Sequence, residues 1–381
     1  MPEETKAEPK KLAACEYKTG KTLGKGSYGT VKEAIKIATK EHFAIKLISK
    51  SLMRGKESLV INEINILKKI SKGHKNIVTL HDYFESPNNL YLVMDLCTGG
   101  ELFDRICDRG NFFEHDAAEI VWLVVDALDY LHQRQIVHRD IKPENLLFKN
   151  REEASDIVIA DFGLSKFLEE GDEERLRTTC GTPGYMAPEI LNKTGYGKPV
   201  DMWAVGVMAY FLLCGYMPFE SHGNNAKELD NVLRAKFQFD SKYWKDVSEN
   251  AKDFISNLLL LDTTKRLTAK QAKQHPWLQI QRKKNEAAIN LLPQCQSGFN
   301  AKKTFKKAIG MVKAVNKLSH SNLAKSASQE FNRLQNAEKS TSSSSLFGSS
   351  DKIDAVPNSR SFNNVADLSR STSNLHLTVS K

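Results

Sequence analysis

Between His138 and Asn145 the chain reads His-Arg-Asp-Ile-Lys-Pro-Glu-Asn. An aspartate followed two residues later by lysine and five later by asparagine is a working set for moving a phosphoryl group. The Asp140 carboxylate can hold a hydroxyl and accept its proton. The Lys142 ammonium can neutralise charge on the moving group, and the Asn145 amide can hold a metal ion. Sixteen residues after Asn145 comes Asp161-Phe162-Gly163, whose carboxylate is a second hard oxygen ligand suited to Mg²⁺.

Upstream, Leu23-Gly24-Lys25-Gly26-Ser27-Tyr28-Gly29-Thr30-Val31 follows the pattern G-x-G-x-x-G-x-V. Glycines let backbone N–H groups approach phosphate oxygens, because no Cβ stands in the way. Dinucleotide-binding folds use a similar string, so this one alone does not decide between them. The absence of a Walker A loop removes the P-loop enzymes. Phe43-Ala44-Ile45-Lys46 reads as a strand carrying one inward lysine, and the glycine string before it points that lysine at phosphates. Residues Glu57 to Ile70 have helical spacing, with Ile61, Ile64 and Leu67 on or near one face. Leu90 to Met94 reads as a buried strand running into a hinge at Asp95 to Thr98, and Ala117 to His132 as a long helix. Met202 to Phe219 is an uncharged run of eighteen residues. That length nominates a membrane helix, but Pro218 near its end and the flanking motifs favour a buried helix.

These motifs, with Ala187-Pro188-Glu189 and His275-Pro276-Trp277, resemble the eukaryotic protein kinases. Gly99-Gly100-Glu101-Leu102-Phe103-Asp104 is similar to the calcium/calmodulin-dependent kinases, type I in particular. The resemblance implies an α+β, bilobal fold and an ATP- and Mg²⁺-dependent transfer to protein substrates. Lys142 and Gly181-Thr182-Pro183 resemble the Ser/Thr rather than the tyrosine kinases. It further implies roles for single residues. ATP would lie against Leu23, Gly24, Gly26, Gly29 and Val31. Lys46 would hold the α/β-phosphates and pair with Glu63. Met94 would back the adenine pocket, and the backbones of Asp95 and Cys97 would bond adenine. Asp140, Lys142 and Lys46 would be catalytic, and Asn145 and Asp161 would hold the metal. Glu101 would receive an arginine three residues before the phosphorylated one, as a charge-assisted pair. Asp201 would hold the catalytic loop by its backbone, and Glu189 and Arg266 would form a buried ion pair. Arg139 would receive a phosphate placed on Thr178 by an upstream activating kinase, with Thr179 the neighbouring competitor.

The sequence divides into a flexible arm (1–16), a kinase domain (17–278, small lobe 17–96, large lobe 97–278), an autoinhibitory connector (279–300), a basic helix (301–318) and a Ser-rich tail (319–381). Pro293 and Gly298 are expected to break any long helix in the connector. The formal net charge is +9, and residues 281–320 alone contribute +8, nine basic residues against Glu286. Such clustering points to an acidic partner of that segment rather than to general nucleic-acid affinity. On a helical projection Phe305, Ile309, Met311, Val312, Val315 and Leu318 fill one half, and six lysines fill the other. A docked structural helix, a membrane-surface helix and a calmodulin target all fit that pattern. Phe305, Ile309, Val312 and Leu318 have the spacing of anchors for two lobes of Ca²⁺-loaded calmodulin, and the kinase resemblance favours that reading. Type I relatives usually carry tryptophan where this chain has Phe305.

The tail has 17 serines in 63 residues and three aromatics, too little apolar surface to fold. Ser373 has Leu368 at −5, Arg370 at −3 and Leu377 at +4, the pattern that kinases of this resemblance favour, and is a candidate site of autophosphorylation. Six scattered cysteines without a C-x-x-C pair read as reduced thiols. With no signal peptide, no transmembrane segment and no myristoylation glycine, the chain is expected in the cytoplasm, with the nucleus as a second compartment.

Overall fold

The computed structural model describes residues 16–25, 29–55, 57–71, 73–168, 176–221, 224–279, 289–296 and 298. The basic helix and the tail lie outside them, as do the 1–15 arm and Gly26.

Five antiparallel strands form the sheet of the small lobe: β1 (Tyr17–Lys25), β2 (Gly29–Lys36), β3 (His42–Ser49), β4 (Leu80–Glu85) and β5 (Asn89–Asp95), in the order β1-β2-β3-β5-β4. Central β3 pairs Lys46 with Val31 of β2 and Leu92 of β5. Helix α1 (Glu57–Ile70) has the bounds its spacing predicts. Its buried face is Val60, Glu63, Ile64, Ile66, Leu67 and Ile70, however, and Ile61 is exposed. At 100° per residue Val60, Ile64 and Leu67 share a stripe that Ile61 cannot join.

The turn after α1 is stitched to the large lobe. Ile77 makes a parallel bridge to Ile159, and Val78 N donates to Ile159 O at 3.1 Å. Asn76 Nδ2 donates to Ile157 O at 2.7 Å, and His74 Nε2 lies 3.1 Å from Asp126 Oδ2.

The large lobe carries α2 (Leu102–Arg109), α3 (Glu114–Gln133), strands β6 (Ile136–Val137), β7 (Leu146–Phe148), β8 (Ile157–Ile159) and β9 (Lys166–Phe167), and α4 (Pro188–Asn192). Then follow α5 (Pro199–Cys214), α6 (Asn225–Leu233), α7 (Ser241–Trp244), α8 (Glu249–Leu258), α9 (Ala269–Ala272) and α10 (Pro276–Gln279). Helix α3 starts three residues before the apolar pattern because Asp116 accepts from Phe113 N at 2.8 Å and caps it. Every residue of α5 from Val200 to Cys214 is buried, which explains why its sequence carries no charge after Asp201. No helix among the described residues is long and apolar enough to cross a membrane. Arg266 and Glu189 form a buried bidentate pair at 2.6 and 3.2 Å, and Arg266 also donates to Leu260 O and Pro199 O. Without that full set of partners, burying two charges would be costly.

Residues 289–296 and 298 dock on the large lobe. Leu291 N donates to Phe112 O at 2.7 Å, and Asn290 Oδ1 accepts from Phe112 N and Leu292 N. No long helix runs through Pro293: residues 289–291 are not helical, and Pro293 sits in the first turn of a short helical stretch at 292–296, where the missing N–H has no partner to lose. That stretch caps the C-terminus of α5: Gln294 Nε2 donates to Leu213 O, and the Cys295 thiol to Leu212 O. Gly298 approaches so closely that a Cβ on it would lie 1.5 Å from Gly215 O.

Candidate active site

The cleft side of β3 presents Lys46. Its Nζ donates to Glu63 Oε1 of α1 at 2.6 Å and lies 3.7 Å from Asp161 Oδ1. Burial pushes the Lys46 ammonium towards neutrality, but Glu63 and then Asp161 outweigh it and hold its pKa above the usual lysine value. Burial likewise raises the Asp161 carboxyl, yet Lys46 and the Gly163 N–H, 3.0 Å away, bring it below the usual range. Both groups are therefore charged at neutral pH. Asn62 Nδ2, one residue before Glu63, donates to Ser165 O at 2.7 Å and ties α1 to the segment carrying Asp161.

Residues 138–145 lie between β6 and β7. Asp201, at the start of α5, shapes them from below: its Oδ2 accepts from His138 N and its Oδ1 from Arg139 N, at 2.9 and 2.8 Å. His132 Nε2, 2.9 Å from Asp201 Oδ2, supports that carboxylate from α3. With its backbone so held, Arg139 adopts φ 69°, a conformation L-residues rarely take. Phe162 is buried against the ring of His138, which joins the two loops.

Asp140 stands at the centre. Its Oδ2 accepts from Lys142 Nζ at 2.5 Å and from Asn145 Nδ2 at 3.1 Å, and its Oδ1 accepts from the Thr182 hydroxyl at 2.8 Å. Lys142 Nζ also donates to Thr182 Oγ1 at 2.7 Å. The Asn145 amide nitrogen is spent on Asp140, so its oxygen is turned to other use and makes no hydrogen bond among the described residues. That oxygen and Asp161 Oδ2 are hard donors of the kind a divalent cation takes. No group of three His, Cys, Asp or Glu among the described residues could hold a metal by itself. Two protein oxygens suit a metal that arrives with phosphate and water ligands of its own.

The nucleotide-facing residues divide by geometry. Gly24 has open space where a Cβ would stand, as backbone approach to a ligand requires. At Gly29 a Cβ would lie 2.0 Å from Leu47 O, so this glycine is needed to pack β2 on β3. Leu23 is exposed, and Val31 sits opposite both Gly24 and Lys46. Met94 is buried, as a residue backing a pocket must be. The Asp95 N–H is taken by Thr79 O. The Cys97 N–H makes no hydrogen bond among the described residues. Burial pushes the Cys97 thiol up to about 11, so it packs as a neutral group.

Glu101 precedes α2 and bridges to Leu147, two residues beyond Asn145, which fixes it relative to the catalytic loop. Thr178 and Thr179 are both exposed. The Arg139 guanidinium donates to Leu164 O and Tyr196 Oη rather than to either threonine side chain. Phe305, Ile309, Val312, Leu318 and Ser373 lie outside the described residues. Sequence reasoning missed Thr182, Asn62, His132 and Tyr196. Of these only Thr182 had a signal, its place in the Gly-Thr-Pro string.

A carboxylate ringed by an ammonium, a hydroxyl and an amide, close to a second carboxylate paired with a half-buried lysine, is equipped to transfer a phosphoryl group from a nucleotide. The protein kinase domain model matches residues 17–278. The chain belongs to the protein kinase family. Over 312 residues the kinase is 52% identical to calcium/calmodulin-dependent protein kinase cmkB of Emericella nidulans, covering 81% of this chain and 77% of that protein. It is 50% identical over 307 residues to calcium/calmodulin-dependent protein kinase type I of Schizosaccharomyces pombe, covering 81% and 90%. With type 1B of Rattus norvegicus it shares 50% over 262 residues, 69% and 75% of the two chains. The kinase is an ATP-dependent protein Ser/Thr kinase that uses a divalent metal.

Proposed function

We propose that this kinase is switched on by Ca²⁺-loaded calmodulin at residues 301–318 and phosphorylates protein Ser or Thr with arginine at −3. The observation that carries the reading is the acid-free basic amphipathic stretch that follows a kinase domain whose relatives are named for calmodulin dependence. Phe305, Ile309, Val312 and Leu318 anchor calmodulin. In catalysis Asp140 orients the attacking hydroxyl and takes its proton, while Lys142 neutralises charge on the transferred group. Lys46, steered by Glu63, holds the α/β-phosphates, and Asn145 and Asp161 hold Mg²⁺, which would neutralise the phosphate oxygens when bound. Glu101 receives the substrate arginine. An alternative occupant of the basic helix is an anionic membrane or another regulator. Cytoplasm, with the nucleus as a second site, is the proposed location.

Calmodulin affinity capture decides between them. The full chain is expected to be retained with Ca²⁺ and released by chelator. Phe305→Asp is expected to weaken retention at least about tenfold, because it buries a charge in an apolar lobe. Retention on anionic vesicles with none on calmodulin would overturn the reading.

An upstream kinase is proposed to phosphorylate Thr178, placing about −1.5 to −2 charge near Arg139, and the enzyme is proposed to phosphorylate its own Ser373. Mass spectrometry of the active enzyme, with and without an activating kinase, should find phosphate at both positions. Activating phosphate on Thr179 instead, or Ser373 equally modified in an Asp161→Asn control, would reject the respective assignment.

A further inference from the structure

Tyr196 lies in the turn between α4 and α5 and is buried to 2% exposure. Its backbone pairs with Leu176 in both directions, at 3.0 and 3.3 Å. Its hydroxyl donates to Thr178 O at 2.7 Å, accepts from Arg139 Nη1 at 3.0 Å, and lies 3.6 Å from Cys180 Sγ. One phenol thus joins the stretch from Asp161 to Glu189, the activation segment, to the side chain that immediately precedes Asp140.

The same two stretches touch again a few residues on. Gly181 packs so closely that a Cβ would lie 2.9 Å from Arg139 O, and the Thr182 hydroxyl reaches Asp140. The links form a closed ring, Arg139 to Tyr196 to Thr178, along the chain to Thr182, and back through Asp140. Neither Lys46 nor Asp161 belongs to it. We propose that Tyr196 is a positioning residue that latches the activation segment onto the catalytic loop before any phosphate is present, and so sets the activity of the unphosphorylated kinase. Opening the ring at the phenol leaves Arg139 Nη1 and Thr178 O without their partner. Thr182 is then held to Asp140 from one side only. A phosphate on Thr178 would offer Arg139 a stronger, charge-assisted partner and make the phenol redundant. This last step rests on the Thr178 assignment above, whereas the latch itself does not.

The test is Tyr196→Phe, which keeps the buried ring, in the full chain with Ca²⁺ and calmodulin. Phosphatase-treated and Thr178-phosphorylated forms are assayed on a peptide substrate. In the unphosphorylated form kcat should fall about tenfold, the scale of one buried hydrogen-bond set, with KM for ATP within about twofold of wild type. In the phosphorylated form kcat should return to within about threefold of wild type. An unchanged kcat without phosphate overturns the latch. So does a fall in kcat joined by a raised KM for ATP and a lowered melting temperature, which marks general loosening. An equal loss in both forms overturns the claim that phosphate replaces the phenol. Failure of wild type to respond to Thr178 phosphate rejects that assignment by itself, while the unphosphorylated arm still judges Tyr196.

Discussion

Replacing Asp161 by asparagine is expected to lower phosphoryl transfer by about three orders of magnitude, or about 4 kcal/mol of transition-state stabilisation, the scale of a lost metal contact. The change is nearly isosteric, and the amide oxygen can still accept from Gly163 N, so the loop has little reason to move. What disappears is a negative charge held on by Lys46. Lys46 keeps Glu63, its shorter partner at 2.6 Å, so the core of the small lobe stays intact. Initial rates on a peptide, alongside a thermal melt, separate the two effects. Turnover within tenfold of wild type, with an unchanged melt, would show that the metal is held elsewhere.

The second large effect is on stability. A chain that ends at Gln281 lacks the docked segment, and removing the connector there cannot be a pure release of inhibition. Leu291, Leu292 and Cys295 are 4% exposed or less, and two leucines alone account for about 3–6 kcal/mol of apolar burial. Leu212 O and Leu213 O at the end of α5 would also lose their donors. The expected result is a melting temperature lower by about 10 °C or more. A chain that ends at Asn300 keeps the anchor and should melt like the full chain. Among the described residues, none of the anchor's hydrogen bonds reaches Lys46, Glu101, Asp140, Asn145 or Asp161. A cut intended to free activity without loosening the large lobe therefore belongs after 298. Equal melting temperatures for the two chains would disprove the anchoring role.

Much of the site was legible because local chemistry writes local sequence. Asp140, Lys142 and Asn145 act within six residues of one another, and the bounds of α1 follow from its own periodicity. The Lys46–Glu63 pair and the Arg266–Glu189 pair came from resemblance, since a lone helical glutamate carries no sign of its partner. What stayed hidden is long-range. Thr182 meets Asp140 across 42 residues, Arg139 meets Tyr196 across 57, and Asn290 meets Phe112 across 178. No periodicity links such pairs. Pro293 was legible as a bar to a long helix, and it stands in the first turn of a short one; that the short stretch forms at all was not legible, because proline opens a helix as readily as it ends one.

The stitched turn after α1 makes that helix a lever with its fulcrum at the Ile70 end. Ile77, Val78 and Asn76 belong mechanically to β8, so the fulcrum travels with the large lobe, while the chain enters the Glu57 end from β3 of the small one. Glu63 lies seven residues from Ile70, about 10 Å along the axis at 1.5 Å per residue. A tilt of about 20° about the fulcrum carries its carboxylate roughly 3–4 Å at that radius. The 2.6 Å bond to Lys46 does not survive such a swing. A small angle at the far end of a helix is thereby converted into the presence or absence of one ion pair, and with it into whether Lys46 is aimed at a phosphate.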